Sequence, residues 1–339
     1  LSNIEQTNRK LSNNAFSGAM VSASTPLYNK TGHSSLTSIC RCTSGYGNAN
    51  NEKIMTGNRH YWSADVVMNN IASIISNTDY NELSVVIDKY AIHIPTVEQT
   101  LQCIKYSTDL YWKDDKAFER IAAFLSRLNG MQRAAFVYTG DLYHLRIHNE
   151  SLVRDFMQRL SMRVTSQETV PDPIAFIHSK NEDYVNLAHL ICIRETEGIG
   201  KDYKQVSAEN INTLAHTVNN IDKTVNDYAD LIKVFLVTSN VPASLAYFPT
   251  SIRRAALTSD TDSTIFTVEE WVRWYKHLTP KSNIVMDEVS IAVAATCIFI
   301  ASQAITHILA RMSANIGVQQ KRLHQVAMKN EFFFPVFIP

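Results

Sequence analysis

This chain has no excess of basic residues. Its 32 Lys and Arg are balanced by 32 Asp and Glu, so the overall charge carries no nucleic-acid footprint and any such surface must be local. Paired cysteines are missing too. Cys40, Cys42, Cys103, Cys192 and Cys297 are odd in number and form no CxxC pair, which argues for a reducing compartment and against a disulfide framework. Cys40 and Cys42 could open a zinc site, but no second Cys or His pair stands at a closing distance. Two small side chains flanking Arg41 are the simpler account. There is no uninterrupted membrane-length apolar run: Ser302, Gln303, Thr306 and His307 break the stretch from Val289 to Ile308, so a buried helix is expected there and no membrane partner. Gly198 and Gly200 sit among charged residues with no GK[ST] after them, which makes Glu195 to Lys204 a surface turn rather than a phosphate loop. No signal peptide precedes the first helix, and a start at Leu1 is what a fragment, a processed piece or a locally numbered segment would show.

What is present is enough apolar side chain, 45% of 339 residues, to bury a core and to form two or three domains. Residues 1 to 18 read as a helix ending at Gly18. Ser22 to Asn51 are rich in Ser, Thr, Asn and Gly, which predicts loops broken by a short element around Leu36 to Arg41. Ser63 caps a helix over Ala64 to Ile75, with Val66, Val67, Ile71 and Ile74 on one apolar face. Helical patterns follow at Thr96 to Asp109, Asp115 to Leu128, Ser151 to Leu160 and Ser207 to Leu236. The stretch 77–242 therefore reads as a helical domain without a chemistry-bearing motif. Its aromatic residues, Tyr111, Trp112, Tyr138 and Tyr143, suit core and protein interface better than stacking platforms for single strands.

The last third changes character. Arg254 to Thr258 and Thr264 to Val268 are strand-like runs on either side of Ser259 to Ser263, the pattern of a hairpin with a polar tip. Helices are expected at Val268 to Leu278 and Asp287 to Ala314, and two further strand-like runs between Leu323 and Ile338. The expected fold class is α+β, a hairpin with packed helices plus a mostly α-helical middle.

Asp260 and Asp262 are the sharpest chemical feature. Side chains two apart in an extended segment share a face, so the pair can present hard oxygen ligands to divalent cations. A DxD at a turn can equally be solvated, each Asp capping its own backbone. In the first helix, Gln6, Arg9, Lys10 and Asn14 fall on one side, where cations could meet a triphosphate and amides a base edge. A solvated helix face remains the alternative.

Taken together, Gln6-Thr7-Asn8-Arg9-Lys10-Leu11-Ser12-Asn13-Asn14-Ala15-Phe16-Ser17-Gly18-Ala19 resembles the KxxxNSxYG fingers motif of family B DNA polymerases, in the form seen in phage members. In the same order, Leu36-Thr37-Ser38-Ile39-Cys40-Arg41 resembles that family's TxxGR segment, and Ser259 to Ser263 its YGDTDS palm motif. Met328 to Pro335 resembles the palm strand that precedes a Lys-rich primer-gripping segment. The matches cover about a third of the chain. Departures are Ser17 for the family's Tyr, Ala15 for Ser, Cys40 for Gly, and Thr258-Ser259 for Tyr-Gly.

The resemblance implies template-directed nucleotidyl transfer with two Mg²⁺ ions, for which Mn²⁺ can substitute. Asp262 would be the principal metal ligand and Asp260 its assistant. Nucleotide contacts would come from Lys10, Asn14, Arg9 and Gln6, and DNA contacts from Arg41 and Thr37. It divides the chain into fingers helix and start of palm (1–76), helical insertion (77–242) and palm with the hairpin (243–339). The partners implied are primer-template DNA, a deoxynucleoside triphosphate and another polypeptide carrying the DxxSLYPS carboxylate, exonuclease and thumb. The implied place is the cytoplasm of an infected bacterial host. Two other readings stay open: a noncatalytic polymerase-like scaffold, and an unrelated helical interaction protein.

Overall fold

The computed structural model describes residues 3–196, 203–237, 251–259 and 263–328. It opens with two long helices, α1 (Asn3–Val21) and α2 (Lys30–Thr56). The loops expected between Ser22 and Asn51 are not there; α2 runs through most of that stretch, and Leu36 to Arg41 lie inside it. Three local reasons account for the correction. Asn29 caps the helix by accepting from the Gly32 amide at 2.8 Å. The Ser and Thr hydroxyls turn back onto α2 itself, Ser38 to the Ser34 carbonyl and Thr43 to the Ile39 carbonyl, so their competing hydrogen bonds bend to the helix instead of breaking it. Finally, residue 45 and residues 47–56 are buried, and tertiary packing overrides weak propensity.

The helix stops at Gly57, which has φ +66° and whose missing Cβ would lie 2.4 Å from His144 Cε1. Both the left-handed backbone and the close approach demand glycine. Next come α3 (Ala64–Asn77), α4 (Tyr80–Tyr90), α5 (Val97–Thr108), α6 (Asp115–Leu125), α7 (Gly130–Tyr138), α8 (Leu142–His148) and α9 (Glu150–Ser161). Ser63 caps α3 as expected, and Val67, Ile71 and Ile74 are buried with Val66 half-buried. Thr96 and Gln99 form a capping box at α5. After α10 (Pro173–His178), α11 (Glu182–Ile191) and α12 (Ile193–Thr196), α13 (Ala208–Asp227) and α14 (Ala229–Leu231) lead into a wider turn at Ile232–Leu236. Of the turn expected at Glu195 to Lys204, residues 197–202 lie outside the described residues. The expected aromatic roles fit what is seen: Tyr138 is buried, Tyr143 stacks on Tyr106, and the Trp112 indole donates to the Tyr61 carbonyl.

Strands β1 (Ala256–Ser259) and β2 (Thr264–Phe266) pair antiparallel, with Thr258 opposite Ile265 and Ser259 opposite Thr264. This is the predicted hairpin; its tip, residues 260–262, lies outside the described residues. Helices α15 (Glu269–Tyr275) and α16 (Glu288–Asn315) follow, the latter capped by Asp287. The strand expected from Leu323 is not formed at its start, because Gln320–Gln325 make a tight helical turn. The remainder, from Lys329, is outside the described residues. The architecture is mostly helical with one small antiparallel sheet, within the expected α+β class.

Helix α16 is long and apolar enough to cross a membrane, yet 61% of its most apolar window is buried within the protein. It packs on α2, α9, α11 and α15, and one hydrophobic cluster runs from Ile54 through the middle helices to Ala304. The Trp271 indole of α15 donates to the Met55 carbonyl at 2.8 Å, fastening α15 to the end of α2.

Below α2 lies a buried charge network. Arg59, 1% exposed, donates from Nε and Nη2 to Asp141 Oδ2 at 2.9 and 2.7 Å, and to the Phe136 and Val137 carbonyls. His144 Nδ1 sits 2.8 Å from the same carboxylate oxygen. Burial opposes the charge on His144, but the Asp141 carboxylate overrides it and pushes the imidazole up to about 10. Lys53 is as deeply buried, and its Nζ makes no hydrogen bond among the described residues. Burial, then the nearby Arg59 charge, lowers its ammonium to about 7.

The two groups act oppositely on stability. For Lys53, the unfolded chain holds the extra proton between about 7 and 10.5, so Lys53 adds stability as pH rises through that window. His144 loses stabilisation as pH rises from 6.5 to about 10. Replacing Lys53 by Met should therefore lower the slope of stability against pH between 7.5 and 9.5 by about 1.4 kcal/mol per pH unit relative to wild type. Urea unfolding at three pH values in that range measures it; parallel profiles for the two proteins would contradict it.

Candidate active site

The side chains that organise the hairpin come from α2. At about 100° per residue, Thr37, Arg41, Ser44, Asn48 and Glu52 form one stripe along this helix. Its inner end is buried: Asn48 is 1% exposed and Glu52 fully buried. Glu52 Oε1 accepts the Ala255 and Ala256 amides, each at 2.7 Å, and Oε2 accepts the Arg254 amide at 2.7 Å and Asn58 Nδ2 at 2.8 Å. The carboxylate thus accepts from three successive backbone donors where the chain enters β1, and charge-assisted bonds of this type are the stronger kind. One turn earlier, Asn48 Nδ2 donates to Ser259 Oγ at 2.8 Å, and Asn48 Oδ1 accepts from Thr264 Oγ1 at 2.7 Å. One amide therefore ties both strands at their last described pair before the tip.

The outer end of the stripe is free for other contacts. Arg41 and Thr37 are exposed. Most of α2 before residue 43 is solvent-facing, and so are residues 4, 5 and 7–16 of α1, including Ile4, Leu11 and Phe16 at 75%, 62% and 55%. Residues 3–44 thus form a projecting two-helix arm whose root is the buried half of α2. At the arm's apex the Asn29 amide donates to the Met20 carbonyl at 2.9 Å. Of the nucleotide candidates, Lys10 and Asn14 are exposed on this arm, Arg9 is held by Glu5 one turn back at 2.8 Å, and Gln6 lies within α1. Asp260 and Asp262 fall outside the described residues, between the strands that Asn48 joins.

A second cluster has the right composition for a metal but the wrong surroundings. Donor atoms of Cys103, Asp141 and His144 lie within 4.8 Å of one another and are buried. However, Arg59 and His144 already occupy Asp141 Oδ2, and the Lys53 amine lies nearby. Positive charge is supplied by side chains there, and sulfur and imidazole are poor donors for Mg²⁺. Cys40 is half-buried, Cys42 is exposed, and both are free thiols. The cluster is a structural ion network.

Sequence reasoning missed Asn48 and Glu52 because they sit in the polar stretch read as loop. The available signal was the spacing of Thr37, Arg41, Ser44, Asn48 and Glu52, which repeats at helical intervals.

If Glu52 holds the hairpin base, Glu52→Gln replaces one acceptor oxygen by a donor facing backbone amides. The expected cost is about 1–3 kcal/mol, with faster hydrogen exchange at the Ala255 and Ala256 amides. Unchanged exchange at those two amides would contradict this role.

Comparison with known proteins adds one match. A family model described as divergent family B DNA polymerase matches residues 1–339. No curated protein and no solved structure matches the chain. The family match takes in the arm, the middle helices and the hairpin alike, and the chain belongs to the divergent family B DNA polymerases.

Proposed function

We propose that this chain supplies the fingers and palm parts of a template-directed DNA polymerase, with the active site completed by another polypeptide. The observation that supports this most is the buried pair Asn48 and Glu52, which spends a fully desolvated carboxylate and amide on a seven-residue, two-stranded element. Such a hairpin is marginal by itself, and an elaborate buried support for a tip carrying Asp260 and Asp262 is the expense expected of a functional element.

In this reading Asp262 and Asp260 are the hard-oxygen donors that would hold Mg²⁺, a donor set that fits that ion where the Cys103 cluster does not. When bound, the ions would lower the pKa of the primer 3′-hydroxyl and neutralise the triphosphate. The chain's own contributions follow from its exposed arm. Lys10 offsets negative charge growing on the phosphates in the transition state, Asn14 lies against the nascent base pair, Arg9 and Gln6 flank them, and Arg41 and Thr37 meet the DNA backbone. Residues 1–76, 77–242 and 243–339 serve as fingers with the start of the palm, helical insertion and palm. The partners are primer-template DNA, a deoxynucleoside triphosphate and a chain bearing the missing carboxylate, thumb and exonuclease, in an infected bacterial cytoplasm. A second reading, a noncatalytic scaffold in a replication complex, is favoured by Ser17 standing where the family motif has Tyr.

Primer extension in Mg²⁺ by the chain purified with its binding partners separates the two. Asp262→Asn, with assembly and thermal stability retained, should lower synthesis by about a thousandfold or more. Equal synthesis by the variant would make the chain a scaffold.

A further inference from the structure

Helix α1 is bare over most of its length. Residues 7–16 are all exposed, and an unbroken run of nearly three turns leaves no side of the helix packed there. Partial burial begins only at Ser17, toward the apex. Ser12, Asn13, Asn14, Ser17 and Gly18 are weak helix formers, and a helix of this composition is marginal in water without tertiary contacts. Among the described residues, eight of the twenty exposed large apolar side chains belong to the arm, a concentration of the kind that marks an interaction surface. At about 100° per residue, Ile4, Leu11 and Ala15 line one side of α1, and Gly18 continues that line. Nothing lies within 4 Å of a Cβ placed on Gly18, so a neighbouring helix could approach closely at that end. Lys10 and Asn14 sit roughly 100° round the helix from this line, which leaves the apolar side unused by the nucleotide contacts.

We propose that the side of α1 formed by Ile4, Leu11 and Ala15 is a docking surface for a helical segment of an acidic partner protein. Charge selects this occupant. The arm carries Arg9, Lys10, Lys30 and Arg41 against a single carboxylate, Glu5, in a chain whose total charge is zero. Glu5 is paired with Arg9, and Lys10, Lys30 and Arg41 make no ion pair among the described residues. Two such arms repel, which counts against a second copy, whereas an acidic surface is attracted and oriented. Ile4 and Leu11, 75% and 62% exposed, gain from burial in an apolar groove and nothing from phosphate, which counts against nucleic acid on this side. Two large apolar side chains are too few for stable insertion into a lipid surface. A line of side chains one and two turns apart suits a helix laid alongside. The surface is separate from Lys10 and Asn14, so it stands independently of the polymerase reading.

The probe is a synthetic amphipathic helix with one leucine face flanked by glutamate, compared with the same peptide carrying lysine for glutamate. Fluorescence anisotropy on the full chain at low salt measures binding, and hydrogen exchange locates it. The glutamate helix should bind at least about tenfold more tightly than the lysine version and slow exchange within residues 7–16. Leu11→Ser should weaken it about tenfold, the order of what one buried leucine supplies, with thermal unfolding unchanged because Leu11 is exposed. Val85→Ser, at a comparably exposed site on α4, should bind as wild type. If Leu11→Ser unwinds α1, Ala15→Glu keeps a good helix former and sets a carboxylate against the acidic probe; weakened binding there supports the proposal and unchanged binding overturns it. No binding of the glutamate helix, equal binding of the two peptides, full binding by a folded Leu11→Ser, or protection confined to other helices also overturns it. Self-association in sedimentation that Leu11→Ser abolishes would assign the surface to a second copy and overturn the proposal. So would a single-stranded oligonucleotide or anionic vesicles whose affinity falls in Leu11→Ser. None of these outcomes alters the primer-extension result for Asp262→Asn, so the two readings fail separately.

Discussion

Glu52 is the constraint on which the rest turns. A carboxylate with no solvent exposure is costly unless every lone pair is used, and Glu52 meets that demand with the backbone of Arg254, Ala255 and Ala256 and the amide of Asn58. Those partners lie about two hundred residues away in sequence on one side and six on the other, so one side chain joins the end of α2 to the start of the hairpin. The same helix carries the projecting arm. The arm and the start of the hairpin are therefore joined through one continuous helix, buried at its inner end, rather than through a loop.

The segment after Glu52 is fixed by further buried contacts. Gly57 turns the chain left-handed against His144, and Arg59 then forks onto Asp141. Lys53 shares this interior with only a lowered proton affinity to accommodate it. Removing one partner from such a network leaves an uncompensated charge, which typically costs about 3–5 kcal/mol. The middle helices α7 and α8 provide Asp141, the carbonyls that Arg59 reaches and the His144 contact. They consequently hold the root of α2 in place, and they do so without carrying any polymerase motif themselves.

Much of this was legible in the sequence, for identifiable reasons. Helices α3, α5, α9, α13 and α16 announced themselves through helical periodicity, α3 also through its cap at Ser63, and the structure adds caps at Thr96, Ser207 and Asp287. The hairpin showed as two β-rich runs around a polar turn. Helix α2 did not, because Ser, Thr, Asn and Gly are weak helix formers locally, and its stability comes from burial against α16, α8 and β1, which are far away in sequence. Losing α2 meant losing Asn48 and Glu52, the residues that position the hairpin. Lys10, Asn14 and Arg41 were singled out through the motif resemblance, and all three are exposed on the arm.

The central claim is that the arm and the hairpin serve one nucleotide. A photoreactive deoxynucleoside triphosphate, crosslinked to the partner-bound chain in Mn²⁺ and mapped by mass spectrometry, tests it directly. The account predicts labelled peptides within residues 3–44 and around Ser259 to Thr264, both lost when unlabelled nucleotide is added in excess. Labelling confined to residues 77–242, or indifferent to competitor, would contradict it.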